Sequence, residues 1–149
     1  MTEGYRLHNR IGFKVTRLAR IMEARLEKRL SEHGITRLMW CVLCGVGLEN
    51  VKTPSTLADY IGIARPAISR LLKIMEDRGL GERTSPDDDK RYTELALTAL
   101  GHEKLKTCHV IVRDLNDHFA DKINPGLYES FLSTIDALTE GEKVQLMRL

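Results

Sequence analysis

Apolar side chains in the first part of the chain recur every three or four residues, which is the spacing of one face of an α-helix. The recurring positions are Ile11, Val15, Leu18, Met22, Leu26 and Leu30. The pattern predicts a long helix over residues 5–31, with Gly34 as its C-terminal stop. Thr36 can cap a second helix over residues 37–47, "RLMWCVLCGVG", which is apolar around most of its circumference and is therefore expected to be buried.

Turn residues divide the middle of the chain into shorter segments. "STLADYIG" predicts a short helix that ends at Gly62, and residues 64–79 predict a helix of roughly four turns that ends at Gly79. "LGERTS" and "YTELAL" alternate with period two on either side of a Pro-Asp cluster, which is typical of a β-hairpin. Two helices joined by a turn and followed by a hairpin predict a winged helix-turn-helix.

The last third of the chain again has a helical pattern. Thr98 can cap a long helix, "NPG" at 124–126 interrupts it, and a final helix follows. The apolar face of the long helix contains Leu105, Cys108, Val112, Leu115 and Phe119, and that of the final helix contains Leu127, Phe131, Ile135 and Leu138. The predicted fold class is mainly α with a small β-hairpin wing. We interpret residues 1–149 as one domain, with the winged helix-turn-helix at about 36–98 and outer helices at about 5–31 and 98–148.

Composition limits the functional classes. The formal net charge is only +2 over 149 residues, so a nucleic-acid partner must be inferred from where charges lie and not from bulk basicity. The apolar runs are shorter than a membrane span needs, and the N-terminus lacks the apolar core of a signal peptide. With three cysteines and no disulfide framework, the expected location is the cytoplasm.

The helix predicted at 64–79 has two distinct faces. Ile68, Leu71, Leu72 and Met75 lie on one side, and the polar side carries Arg65, Pro66, Ser69, Arg70 and Lys73. Arginine can bond guanine O6 and N7 or a phosphate, serine can bond either, lysine suits a phosphate, and proline can contact a thymine methyl. An ordinary amphipathic helix with a solvated basic face is the alternative. The preceding short helix, the turn and the hairpin favour DNA recognition.

A long stretch of the chain resembles a known family. "LADYIGIARPAISRLLKIMEDRGLGERTSPDDDKRYTELALTALG" resembles the MarR (multiple antibiotic resistance regulator) family of bacterial transcription factors, and "ITRLMWCVL" is similar to the start of that family's second helix. Asp-Lys-Arg at 89–91 occupies the family's Asp-x-Arg wing motif, and "LALTALG" occupies its Leu-Thr-x-x-Gly close.

The resemblance implies a homodimer in which the first and last helices form a dimerisation platform. Two recognition helices about 34 Å apart would then enter successive major grooves of a pseudo-palindromic double-stranded operator. Arg91 would enter the minor groove, with Lys90 beside it on the DNA backbone, and Asp89 would brace the wing by holding an arginine, either Arg91 or one such as Arg78. The family also implies repression that a small molecule or an oxidant relieves.

The resemblance places an effector pocket between the platform and the winged domain, for an aromatic carboxylate or an acyl-CoA thioester. The candidate lining residues, chosen by region and chemistry, are His8, Arg10, Lys14, Arg17, Trp40 and Cys44. A cationic side chain could hold a carboxylate, and Trp40 could stack on an aromatic ring. Alternatively, Trp40 belongs to the core and the arginines are solvated.

Two other functions compete with a ligand-responsive repressor. Oxidation of Cys41, Cys44 or Cys108 could release DNA, although helical geometry makes a disulfide within "CVLC" awkward and free cysteines are commonly buried. The winged domain could also bind a protein instead of DNA. The chain has no phosphate-binding glycine loop, nucleophile elbow or HExxH motif and no second pair of zinc ligands, so we predict neither an enzyme nor a cofactor or metal site.

Overall fold

The computed structural model describes residues 4–85 and 92–142, which contain six α-helices and one antiparallel hairpin. The helices are α1 (Ile11–Ser31), α2 (Arg37–Leu48), α3 (Pro54–Ile61), α4 (Arg65–Asp77), α5 (Ala99–Ala120) and α6 (Pro125–Thr139). The strands are β1 (Gly81–Thr84) and β2 (Glu94–Leu97), paired with Gly81 opposite Leu97 and Thr84 opposite Glu94. The predicted fold class, mainly α with a small hairpin wing, is confirmed.

The first helix begins later than its predicted start at residue 5. Leu7–Asn9 form a short 3-10 helix, and the backbone is extended at Arg10 before α1 begins at Ile11. All residues from 4 to 12 are exposed. The side chains of residues 5–10 make local contacts instead of continuing the helix: the Arg10 guanidinium lies 4.3 Å from the centroid of the Tyr5 ring, and the His8 ring lies 4.6 Å from that of Phe13. The predicted start was wrong, whereas the end at Ser31 agrees with the pattern.

Side-chain caps begin four of the six described helices, because a hydroxyl or amide oxygen accepts one of the free N–H groups of the first turn. The pairs are Thr36 with the Met39 N–H at 3.2 Å, Thr53 with the Thr56 N–H at 3.2 Å, Thr98 with the Gly101 N–H at 3.0 Å, and Asn124 with the Gly126 N–H at 3.0 Å. The predicted caps at Thr36 and Thr98 are confirmed.

The hydrophobic core lies where α2, α3, α4, β2 and the first half of α5 meet. Its enclosed side chains include Leu43, Leu57, Ile68, Leu72, Met75, Leu95 and Cys108. Helix α2 contributes six buried residues, so its predicted burial is confirmed. The N–H of Leu95 also donates to the Lys52 carbonyl at 2.9 Å, which ties the hairpin to the loop before α3.

Helix α6 is the exception to this packing, because none of its residues is buried. A hydrogen bond from the Tyr128 hydroxyl to Asn116 Oδ1 at 3.0 Å links it to α5. Its apolar stripe, Leu127, Phe131, Ile135 and Leu138, is exposed by 40–60% in the single chain.

The start of α5 packs directly on the end of the helix-turn-helix at Gly101. A Cβ at this position would overlap the Leu80 carbonyl oxygen, which is backbone and cannot rotate away. The Thr98 hydroxyl donates to the Gly79 carbonyl, and the Thr98 N–H donates to the Leu80 carbonyl at 3.1 Å. Glycine at 101 thus permits a close approach that holds α5 against the winged domain.

We expect Gly101→Ala to destabilise the protein by about 1–3 kcal/mol, because the added methyl forces two backbones apart. The measurement is urea unfolding of both proteins at equal chain concentration, since association would change the apparent stability. Gly12→Ala is the matched control: it lies in α1 with open space around its Cβ and should be neutral or stabilising. Equal midpoints for wild type and Gly101→Ala would contradict the close-packing argument.

Candidate nucleic-acid interface

Helices α3 and α4 form the helix-turn-helix, and the turn between them depends on Gly62. Its φ of 83° lies in the left-handed region, where a side chain would be strained. The N–H groups of Gly62 and Ile63 both donate to the Ala58 carbonyl, at 2.8 and 3.1 Å. These bonds close the end of α3 and direct the chain into α4.

Helix α4 has the two faces that its sequence predicts. Ile68, Leu71, Leu72 and Met75 are buried, with at most 8% of any of them exposed. The exposed face carries Arg65, Pro66, Ser69, Arg70 and Lys73. Among the residues that the structure describes, no carboxylate forms a salt bridge with Arg65, Arg70 or Lys73. The structure thus brings these five residues together on one cationic surface.

The wing is attached to α4 by an ion pair between Arg83 of β1 and Glu76. This contact joins the first strand of the hairpin to the last turns of the recognition helix. The three residues predicted to act at the wing tip, Asp89 as brace, Lys90 at the DNA backbone and Arg91 in the minor groove, lie outside the described residues.

A groove of about 580 Å³ runs beside the exposed face of α4. Three elements line it: the first turn of α3, the first half of α4, and the segment that enters β2. The lining residues are Thr53, Pro54, Ser55, Thr56, Arg65, Ile68, Ser69, Tyr92 and Thr93. Hydroxyl groups and one guanidinium in an open groove are suited to bind a phosphate oxygen.

The hydroxyl residues of this groove were not predicted from the sequence. The run "TPST" at 53–56 and the position of Tyr92 directly after the wing motif were the available signals. Neither indicates by itself that the two segments, which are far apart in the chain, line the same groove as Arg65 and Ser69. The Tyr92 hydroxyl donates to Glu94 Oε1 at 3.1 Å, and this bond raises the pKa of the tyrosine.

The six predicted effector residues do not meet in one pocket of the described chain. His8, Arg10, Lys14 and Arg17 are exposed at the N-terminal end, whereas Trp40 is buried with 9% exposure and Cys44 is half-buried on α2. The Trp40 ring lies 6.3 Å from the ring of His109, centroid to centroid. Only Arg17 lines a shallow groove along α1, and its other lining residues are Phe13, Thr16, Arg20, Ile21 and Ala24.

The three cysteines are shielded from water. Cys108 is buried, Cys41 and Cys44 are half-buried, and desolvation raises the pKa of each thiol. For Cys44, burial and the nearby Cys41 and Glu49 together raise the pKa to about 12. The thiol form therefore dominates at neutral pH, and it is the thiolate that reacts with oxidants. Within residues 4–85 and 92–142, no group of three or more potential ligands is arranged to hold a metal ion.

Comparison with known proteins agrees with this geometry. Residues 33–91 match the family model described as the MarR family. The winged helix-turn-helix of this chain is thus similar to that of the MarR family, and the resemblance read from the sequence is confirmed for these residues.

Solved structures share the fold over most of the chain. A cysteine-to-serine mutant of MarR from E. coli, complexed with operator DNA, has a TM-score of 0.74 at 24% identity and covers 88% of this chain and 99% of its own. MepR from S. aureus, complexed with DNA, has a TM-score of 0.79 at 15% identity, with 89% and 96% covered. The organohalide-sensing regulator RdhR, bound to 2,4-dichlorophenol, has a TM-score of 0.82 at 18% identity, with 94% and 83% covered.

The described helices were also compared with the requirements of a membrane span. None of them combines the length and the apolar composition needed to cross a bilayer.

We expect the alkylation rate of Cys44 by iodoacetamide to rise about tenfold for each pH unit from 7 to 10, because a raised pKa keeps the thiolate a minor species throughout that range. In urea the same residue should react faster at neutral pH and level off near pH ~8.5–9, as an ordinary thiol does. The measurement is mass spectrometry of the peptide that contains Cys44. A plateau near pH 8.5 in the folded protein would show that the thiol is not perturbed.

Proposed function

We propose that the protein is a transcription regulator of the MarR family, a homodimeric repressor that binds a pseudo-palindromic operator and is released by a small-molecule effector. The observation that carries the proposal is the exposed cationic face of α4, opposite a face that the core encloses. A helix held in this way can enter the major groove without losing its own packing.

The residues of α4 divide by chemistry into base-reading and backbone contacts. Arg65 and Arg70 can each present two N–H groups to guanine O6 and N7, and Ser69 lies between them to bond a base or a phosphate. Lys73 lies near the other end of the face and suits a phosphate, and Pro66 can contact a thymine methyl. Since phosphate contacts orient the protein and base contacts specify the sequence, Arg65 and Arg70 are the proposed determinants of operator choice.

The groove beside α4 supports DNA as the partner. Arg65, Ser55 and Ser69 line the same open space, so a DNA strand that passes α4 would find a guanidinium and hydroxyls for its phosphates. At the wing tip, the proposed roles remain those of the family motif: Arg91 in the minor groove, Lys90 on the backbone and Asp89 as the brace. The E. coli MarR mutant and S. aureus MepR were solved with DNA, which is consistent with the same partner here.

The proposed dimer follows from apolar surface that the single chain does not cover. All of α6 lacks buried residues, and its stripe faces solvent, as do Ile11, Val15 and Ile21 of α1. Contiguous apolar patches of this kind mark interfaces in soluble proteins. A second copy of the chain, packed through the outer helices, would bury the apolar residues of both α1 and α6. A monomeric mass in sedimentation velocity at micromolar concentration would rule the dimer out.

The proposed effector is an aromatic carboxylate or a related thioester. The groove along α1 combines Phe13 with Arg17 and Arg20, which supply an aromatic ring and two positive charges, and a dimer would close it from the other side. RdhR was solved with a phenolic compound, which supports an aromatic ligand class. Thermal-shift screening of aromatic acids and their CoA thioesters, followed by operator release with each stabilising compound, tests this. If no stabilising compound releases the operator, the proposed effector class is wrong.

The raised thiol pKa values weigh against the oxidation-responsive alternative, since desolvation suppresses the thiolate at all three cysteines. A protein with all three cysteines changed to serine should still respond to its effector. The cationic face of α4 weighs against a module that binds only protein. Random-site selection that enriches no palindrome would favour that alternative.

We expect Arg70→Ala to weaken operator binding by about 1–3 kcal/mol if the side chain reads a base edge, and to reduce discrimination at one operator position. The measurement is a gel-shift or anisotropy titration against the selected operator and single-base variants of it. Arg91→Ala should also weaken binding, and sedimentation should show both variants with the wild-type assembly state.

Arg113→Ala provides the matched control for this series. It removes an equally charged, exposed side chain from α5, away from the recognition helix, and it should retain wild-type affinity. Wild-type affinity in both Arg70→Ala and Arg91→Ala would show that the contacts are wrongly assigned.

A further inference from the structure

One side chain ties the C-terminal end of α4 to the turn between α1 and α2. Arg78, the residue that follows α4, donates from Nη1 to the Gly34 carbonyl oxygen at 2.9 Å, and the same nitrogen lies 3.9 Å from Met39 Sδ. The two bonded residues are 44 positions apart in the chain. The contact therefore joins the recognition helix to an element that the chain does not bring there locally.

The acceptor of this bond belongs to the end of α1. Helix α1 closes with two backbone bonds, Gly34 N–H to the Ser31 carbonyl and Ile35 N–H to the Leu30 carbonyl, both 3.1 Å, and Gly34 has a φ of 71°. This is a Schellman closure, and it leaves the Gly34 carbonyl outside α1's own bonds. A helix C-terminus carries partial negative charge, so a guanidinium is favoured there.

The end of α1 is held firmly on the rest of the fold. Leu30 and Ile35 are buried, with 0% and 2% exposed, and Arg37 at the start of α2 forms a salt bridge with Glu23 of α1 at 2.6 Å. Arg78 itself is exposed, so its bond contributes little to global stability. Its main effect is on the orientation of α4, because it restrains the end of α4 relative to a fixed point at the end of α1.

We propose that Arg78 is a positioning residue that sets the angle between α4 and α1, and through it the spacing of the two operator half-sites that the dimer accepts. The inference rests on the proposed function, in which α1 belongs to the dimer platform and α4 reads the operator. Half-sites one helical turn apart are about 34 Å from centre to centre. Each added base pair moves one half-site by about 3.4 Å along the duplex axis and rotates it about that axis. A restrained α4 cannot follow that change.

The test compares operators with different central spacing. The selected operator, and versions with one base pair inserted or deleted at its centre, are titrated with wild type, Arg78→Met and Arg78→Lys. Wild type should bind the altered spacings about tenfold more weakly or worse, a penalty comparable to that of one mismatched base pair. Arg78→Met keeps the length of the side chain but has no donor, so its penalty should fall to about threefold or less. Arg78→Lys retains a charged donor for the Gly34 carbonyl and should restore most of the wild-type discrimination.

Two other outcomes overturn the proposal. If Arg78 contacts a phosphate, Arg78→Met will weaken binding equally at every spacing. It will also reduce the slope of log K against log[salt] by about one. If Arg78 has no role, the spacing penalty will be the same in Arg78→Met as in wild type.

Hydrogen exchange provides a test that does not require DNA. In Arg78→Met, peptides that cover the second half of α4 and residues 33–36 should exchange faster, with global unfolding nearly unchanged, because the tether limits local opening. Arg113→Met should leave both peptides at wild-type rates. If the wild-type protein selects no operator, the proposed function is refuted. Hydrogen exchange still tests the restraint by Arg78: unchanged exchange rates in Arg78→Met would show that the bond to Gly34 does not restrain α4.

Discussion

The enclosure of one face of α4 in the core is the constraint on which the proposed DNA-reading surface depends. Ile68, Leu72 and Met75 are almost completely buried, and burial of each such side chain contributes about 1.5–3 kcal/mol. Rolling the helix by one residue would expose aliphatic side chains and bury arginine, which is unfavourable on both counts. The orientation of Arg65 and Arg70 is therefore determined from the opposite side of the helix, by side chains that are buried in the core.

A second set of contacts connects the end of α4, the hairpin and the start of α5 around one residue. This residue is Leu80: its N–H bonds the Met75 carbonyl at 2.9 Å, and its carbonyl accepts from the Thr98 N–H. Gly101 allows α5 to approach that same carbonyl without steric overlap. A movement of α5 or α1 in a dimer would thus reach α4 through short backbone bonds and through Arg78. In the proposed dimer, this would be a physical route by which an effector that favours one arrangement of the outer helices disfavours DNA binding.

The proposed DNA interface and the proposed assembly surface lie on different parts of the fold. A single chain forms the first completely and the second only in part. The face of α4 and its groove are formed within a single chain from α3, α4 and the segment before β2. The groove on α1 is lined by one helix, and the stripe on α6 covers no core. This difference explains why the proposed contacts on α4 could be grouped from sequence spacing, whereas the proposed effector residues could not. The contacts on α4 share one helix, and an effector pocket would require surfaces from several elements.

The sequence by itself determined the order and type of the elements, the caps at Thr36 and Thr98, and the division of α4 into a buried and a cationic face, because each depends on residues within one or two turns of one another. Only the structure showed where α1 begins, because Arg10 is extended and its guanidinium lies over the Tyr5 ring instead of continuing the helix. It also decided that Ser55 and Tyr92 share a groove with Arg65, and that Arg78 bonds Gly34. These contacts join segments tens of residues apart, and no local periodicity records them, because their geometry is set by how the core brings the helices together.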